Sequence, residues 1–121
     1  MRALKIIGAT GALLAVMLGA LGAHGLKNVL NDSALSAFNT AVEYQMYHSL
    51  AVLLVCALPG LSPRLANRAG WCFVTGTVLF SGSIYGLTLT GLSWLGPLTP
   101  LGGLTMMAGW IILIISVIKG R

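Results

Sequence analysis

The segment Glu43-Tyr44-Gln45-Met46-Tyr47-His48 holds the densest set of side chains able to do chemistry in this sequence. Glu43 and Tyr47 are four residues apart, as are Tyr44 and His48, so on a helix each pair shares a face. An imidazole changes protonation near neutrality and its two nitrogens can relay partners. A nearby carboxylate can accept a proton or orient the ring. His24, Ser81, Ser83 and Tyr85 complete the polar set. A Ser–His–acid arrangement can be written from Ser81 or Ser83, His48 and Glu43, but no nucleophile motif or oxyanion hole accompanies it. His24, His48 and Glu43 are donors that zinc would accept, yet nothing in their spacing makes them converge. The only two carboxylates, Asp32 and Glu43, fall on different kinds of segment, which leaves paired-carboxylate hydrolysis without support. No catalytic residue, metal ligand or cofactor follows from the sequence, and the chain reads as something other than an enzyme.

The elements that must carry these residues are membrane helices. Hydrophobic residues make up 57% of the 121 and charged ones only 7%, too little polar surface to cover a soluble domain. Four apolar stretches lie at about residues 4–23, 42–61, 71–90 and 100–118. Each approaches the roughly 20 residues needed to cross a hydrocarbon layer. Together they leave no room for a separate soluble domain, so residues 1–121 read as a single all-α transmembrane domain, a four-helix bundle.

The charges agree with alternating helices. Arg2 and Lys5 precede the first stretch, Arg64 and Arg68 separate the second and third, and Lys119 and Arg121 follow the fourth. Only Lys27 falls on the other side, with Asp32 and Glu43. Cations are enriched on the cytoplasmic side, which puts both termini and the middle connection inside. The net charge of +5 is thus a topological signal rather than a nucleic-acid surface, for which no basic helix or aromatic–basic interleaving exists. The basic start, apolar run and Gly-Ala-Leu-Gly-Ala segment at 19–23 also resemble a secretory signal, whose cleavage would leave three spans. Cys56 and Cys72 fall toward the cytoplasmic side, where free thiols are expected.

Local signals refine the boundaries. Gly25 can stop the first helix, and Asn31, Asp32 and Ser33 offer a new N-cap. Leu35, Phe38 and Val42 then give one apolar face, predicting a short interfacial helix over about 33–41 or its continuation into the second span. Pro59 and Gly60 end the second helix, Ser62-Pro63 begins a helical turn, and Trp71 opens the third span at the inner interface. Thr99 and Pro100 fit a cap and first helical position for the last. Gly8, Gly11, Ala15 and Gly19 give the first helix a small-residue seam, and Gly82 and Gly86 do so in the third; Gly109 lies well inside the fourth. Such seams let helices approach closely, within one chain or between copies.

The pieces Gly22-Ala23-His24-Gly25-Leu26, Tyr44-Gln45-Met46-Tyr47-His48, Phe80-Ser81-Gly82-Ser83-Ile84-Tyr85, Pro100-Leu101-Gly102-Gly103 and Gly109-Trp110 occur in an order that resembles the YgdD-like and YwdK-like family. These are small, uncharacterised bacterial membrane proteins with eukaryotic transmembrane relatives. The resemblance implies a four-span protein of the inner membrane, with His24, Gln45, His48, Ser81, Ser83 and Tyr85 on the family's motif positions. It supplies no substrate or reaction.

Two functions are consistent with this reading. One is a structural or accessory membrane protein that self-associates or holds a membrane-protein partner or lipid. The other is permeation of a small solute or proton through a polar pocket around His48, which would then be linked to Glu43, Ser81 or Tyr85. Either way His48 is expected to face protein, most readily the Ser81–Tyr85 segment, because an unsatisfied polar group in hydrocarbon costs several kcal/mol. The charge pattern predicts that a C-terminal tag on the full chain is inaccessible from outside in spheroplasts. External labelling of that tag would overturn the topology, and a mature chain beginning near His24 would establish cleavage of the first span.

Overall fold

The computed structural model describes residues 1–120; Arg121, counted above among the inner cations, lies outside them. Four long helices follow one another: α1 (Arg2–Ala23), α2 (Asp32–Ala57), α3 (Pro63–Thr90) and α4 (Leu98–Lys119). A short 3₁₀ turn (Ser93–Leu95) lies between α3 and α4. The starts and stops have local causes. Asn31 caps α2, its side-chain oxygen accepting from the Ala34 N–H at 2.8 Å. The segment expected as a short helix over 33–41 is the opening of α2 itself, with no break before residue 42. Pro63 begins α3, which runs unbroken through Trp71, and Gly91 ends it in the left-handed conformation at φ 74°. The expected cap at Thr99 is displaced: Pro97 caps α4 and Pro100 is its third residue. There its missing N–H costs nothing, since first-turn donors have no intrahelical acceptor.

α1 packs on α2, α2 on α3, and α3 on α4, with a lighter contact between α1 and α3. Leu4 meets Gly70 and Val55, while the Ser62 N–H donates to the Ser116 carbonyl at 3.3 Å. The start of α1, the end of α2, the start of α3 and the end of α4 therefore share one end of the molecule. Exposed Arg2, Lys5, Arg64, Arg68 and Lys119 gather there. A core of Leu4, Val52, Val55, Ala66, Ala69, Phe73 and Leu113 fills that half.

Glycines set the helix separations. Leu4, Gly8, Gly11, Ala15, Gly19 and Gly22 recur at three- and four-residue steps down the α2-facing side of α1. A Cβ on Gly8 would lie 3.0 Å from Leu53 Cγ, on Gly19 3.4 Å from Val42 Cγ1, and on Gly22 3.1 Å from the Phe38 ring. α3 and α4 approach closer still. A Cβ on Gly102 would run into the backbone of Phe80 and Gly76, and one on Gly109 would lie 2.8 Å from the Phe73 ring. Gly86 faces Leu95, whereas a Cβ on Gly82 would meet nothing within 4 Å, so Gly82 makes no contact of the kind its spacing suggested.

Among the described residues three helical segments are long and apolar enough to cross a membrane: Arg2–Ala23, Pro63–Thr90 and Ser93–Lys119. α2 is not among them, because it carries Asp32, Ser33, Ser36, Asn39, Thr40, Glu43, Gln45, His48 and Ser49. Its place between α1 and α3 hides the deeper ones. Elsewhere the outside is apolar, with Val16, Val78, Leu104, Met107 and Ile118 all more than half exposed. Replacing Gly102 with Leu should cost about 3 kcal/mol, the upper end for overpacking, because backbone rather than a movable side chain blocks the site. Gly82→Ala should stay within about 0.5 kcal/mol of wild type. Unfolding of both variants in the same detergent micelle checks the contrast.

Candidate functional site

Gln45 is 7% exposed and ties three helices together. Its Nε2 donates to the Gly11 carbonyl of α1 at 2.8 Å, and its Oε1 accepts from the Tyr85 hydroxyl of α3 at 2.6 Å. The Tyr85 ring stacks at a tilt on Phe38, with centroids 5.2 Å apart. Gly11 makes this possible: with no side chain, its carbonyl can be reached from α2, and a Cβ there would collide with Ser49. Close by, the Ser81 hydroxyl donates to the Ala41 carbonyl at 2.7 Å, a second bond between α2 and α3.

One turn further along α2, His48 is 5% exposed. Its Nδ1 lies 2.8 Å from the Tyr44 carbonyl and its Nε2 3.1 Å from the Trp110 indole nitrogen of α4. A carbonyl can only accept and an indole N–H can only donate, so these partners fix the neutral Nδ1–H tautomer. Aromatic rings enclose it: Phe73 at 5.7 Å, Trp110 at 5.9 Å and Tyr44 at 5.9 Å between centroids. His48 thus faces protein, but its partner is α4 rather than the Ser81–Tyr85 segment. Sequence spacing gave no means of finding Trp110. It rests on the distance between two helices that touch only lightly, and the signal available was Trp110 itself, an indole donor deep inside an apolar stretch.

The polar groups expected to share one pocket are divided. Gln45, Ser81 and Tyr85 form one set and His48 with Trp110 another. Ser83 turns away, donating to the Phe80 carbonyl at 2.9 Å and pairing with the Thr99 hydroxyl of α4. His24 is exposed at the end of α1, apart from both sets. Glu43, Tyr44 and Tyr47 are exposed on α2. Among the described residues no group of three or more His, Cys, Asp and Glu side chains could hold a metal ion, and Cys56 and Cys72 are free.

Two lateral grooves flank the central α2–α3 pair. One, of about 400 Å³, lies between α2 and α4 and is lined by Tyr44, His48, Phe80, Met106, Met107 and Trp110. The other, of about 270 Å³, lies between α1 and α3 above Gln45, with Leu14, Val78, Gly82 and Tyr85 on its walls. The open space beside Gly82 belongs to this groove. Both open sideways between helices, and neither holds a buried side-chain nitrogen or oxygen without a partner.

Comparison with known proteins places this chain among relatives. The family described as "Protein of unknown function (DUF423)" matches residues 18–103. A UPF0382 membrane protein of Staphylococcus aureus is 44% identical over 119 residues, covering 98% of either chain. UPF0382 membrane protein YwdK of Bacillus subtilis is 43% identical over 121 residues, again 98% of each. No solved structure matches.

The Gln45 bridge predicts non-additive stability. Gln45→Leu removes both bonds and leaves the Tyr85 hydroxyl unpaired, a loss of about 1–2 kcal/mol. Tyr85→Phe removes one bond, about 0.6 kcal/mol at the average for such bonds in membrane proteins. In the double variant the orphaned hydroxyl is gone, so its cost should fall below the sum of the two single ones. Denaturation of all four proteins in one micelle measures the cycle, and strict additivity would refute the bridge.

Proposed function

Since this chain belongs to the DUF423 family, whose bacterial relatives are membrane proteins, we propose its role from its own geometry: a structural or accessory protein of the cytoplasmic membrane, acting by lateral association in the bilayer. Both termini and the 58–62 connection face the cytoplasm in this reading, supported by the cations gathered at their shared end. The four helices then cross the membrane as one domain, α2 included, since it is flanked along its length by apolar α1 and α3.

The observation that carries the proposal is the closure of the interior. Among the described residues, every buried side-chain nitrogen and oxygen has a partner. Gln45 spends its amide on α1 and α3, and His48 spends both ring nitrogens on Tyr44 and Trp110. A path for ions or protons needs polar groups free to trade partners with the passing species. His48 is instead walled by aromatic rings and linked to none of Glu43, Ser81 or Tyr85. The free surface of the protein is lateral: largely apolar grooves, including one of about 490 Å³ beside Ala9, Leu53 and Cys56, and the outer faces of the helices, suited to lipid chains or neighbouring helices.

Reconstituted into proteoliposomes, the protein should add no flux of protons, sodium, potassium or chloride over protein-free vesicles. His48→Ala should change only stability, by about 1–3 kcal/mol, as Trp110 loses its acceptor and the ring its contacts. Reproducible flux in the wild type that His48→Ala abolishes would replace this reading with permeation.

A further inference from the structure

The side of α2 turned away from α1 and α3 carries a stripe that lipid does not explain. Ser36, Thr40, Glu43, Tyr47, Leu50 and Leu54 follow one another at alternating steps of four and three residues, and all but half-buried Thr40 are exposed. The packing of α2 on α1 fixes their depth. Gly22 lies against Phe38, Gly19 against Val42, and Gly8 against Leu53. Glu43 is therefore level with Leu18, about six residues, or ~8 Å, from the middle of α1. A hydrocarbon layer extends ~15 Å from its centre, so a layer centred on the middle of α1 takes in the Glu43 carboxyl.

A carboxyl at that depth normally faces the interior of a bundle or a water-filled cavity, paired. Glu43 does neither. It is exposed and takes part in none of the bonds that tie the core together, and the same holds for the Tyr47 hydroxyl one turn away. One is an acceptor, the other a donor, on one stripe. Among the described residues no cation answers Glu43: Arg2, Lys5, Arg64, Arg68 and Lys119 sit at the opposite end, and Lys27 lies outside the helices in the 24–31 connection.

We propose that this stripe is the face on which two copies of the chain associate in the membrane, each Tyr47 hydroxyl donating to the partner's Glu43. The complement that Glu43 requires is contained in the stripe itself. A two-fold axis along the membrane normal sets two α2 helices parallel, with like residues at equal depth. Helical side chains lean toward the N-terminus, so Tyr47 reaches toward the level of the partner's Glu43 across the seam. Each hydroxyl then has an acceptor and each carboxyl gains a donor. Steps of three and four are those of a left-handed helix pair, with Leu50 and Leu54 closing the inner half of the contact. The two-fold contact is self-complementary and stops at two copies. The inference rests on the accessory reading and names its partner.

The test uses the full chain with Cys56→Ser and Cys72→Ser, reconstituted in phosphatidylethanolamine–phosphatidylglycerol vesicles. Leu50→Cys and Leu54→Cys, one at a time, should form a disulfide-linked dimer on oxidation. Val78→Cys and Ile111→Cys, exposed on α3 and α4, should not. Tyr47→Phe should weaken dimerisation about tenfold, the loss of two interhelical bonds at the modest strength they have in bilayers. Glu43→Gln keeps an accepting oxygen and should retain most of it. A monomer at every protein-to-lipid ratio, equal yields from stripe and control positions, or wild-type dimerisation of Tyr47→Phe would each overturn the proposal. In native membranes, cross-links from Leu50→Cys only to a different membrane protein would also overturn it while leaving the accessory role intact. Proton or ion flux would instead overturn that role.

Discussion

In hydrocarbon a polar group has no water to fall back on, and this molecule is organised around that constraint. Gln45 is its focus. A primary amide buried among apolar helices needs a donor and an acceptor from other elements, and it finds both in the Gly11 carbonyl and the Tyr85 hydroxyl. The bond to Gly11 requires α1 to come within side-chain reach of α2. That separation is possible only because a run of small residues faces α2 along the whole of α1. The bond to Tyr85 fixes how far α3 can slide along α2, and Ser81 on the Ala41 carbonyl fixes it again one turn away. Polar satisfaction and helix register are one arrangement here.

The close packing of α3 on α4 has another origin. No hydrogen bond crosses that seam in its middle; Ser83 with Thr99 and Ser116 with Ser62 mark its two ends. Between them Gly76, Gly102 and Gly109 let backbone meet backbone or an aromatic ring, so dispersion holds what polar groups hold elsewhere. Phe73 inserts where Gly109 leaves room and in doing so meets both His48 and Trp110. Removal of a side chain on α4 thereby shapes the surroundings of a histidine on α2.

Within single helices the sequence was highly legible. Apolar length, the Asn31 cap and Pro63 are properties of one segment, and the structure has α2 and α3 starting at those two residues. Gly8, Gly11, Ala15 and Gly19 could be read as a packing face from four-residue spacing, since that relation too lies within one helix. What spacing does not carry is which helix lies opposite, and at what register. Gly82 and Gly86 share the same spacing, yet one faces a groove and the other Leu95. His48 and Gln45 are three residues apart and buried alike, but their partners come from opposite flanks of the bundle, α4 for one and α1 with α3 for the other. A pocket uniting them follows from proximity along α2; the structure divides them because α2 stands between those flanks.

The position of α2 explains its composition. Its middle carries more polar side chains than the apolar stretches of the other three helices, and it touches α1 on one side and α3 on another, with α4 reached through His48 and Trp110. A helix whose inner faces are protein can afford Gln, His and Ser there, because each has a neighbour to bond. That account covers Gln45, His48 and Ser49 but not Glu43, which lies on the outward side at a similar depth. Among the described residues the buried side-chain nitrogens and oxygens are all paired, so the polar groups left over lie on the surface. On α2 the outward stripe is where Glu43 and the Tyr47 hydroxyl lie outside the bonds of the core, and the constraint that Gln45 meets through α1 and α3 applies to Glu43 as well.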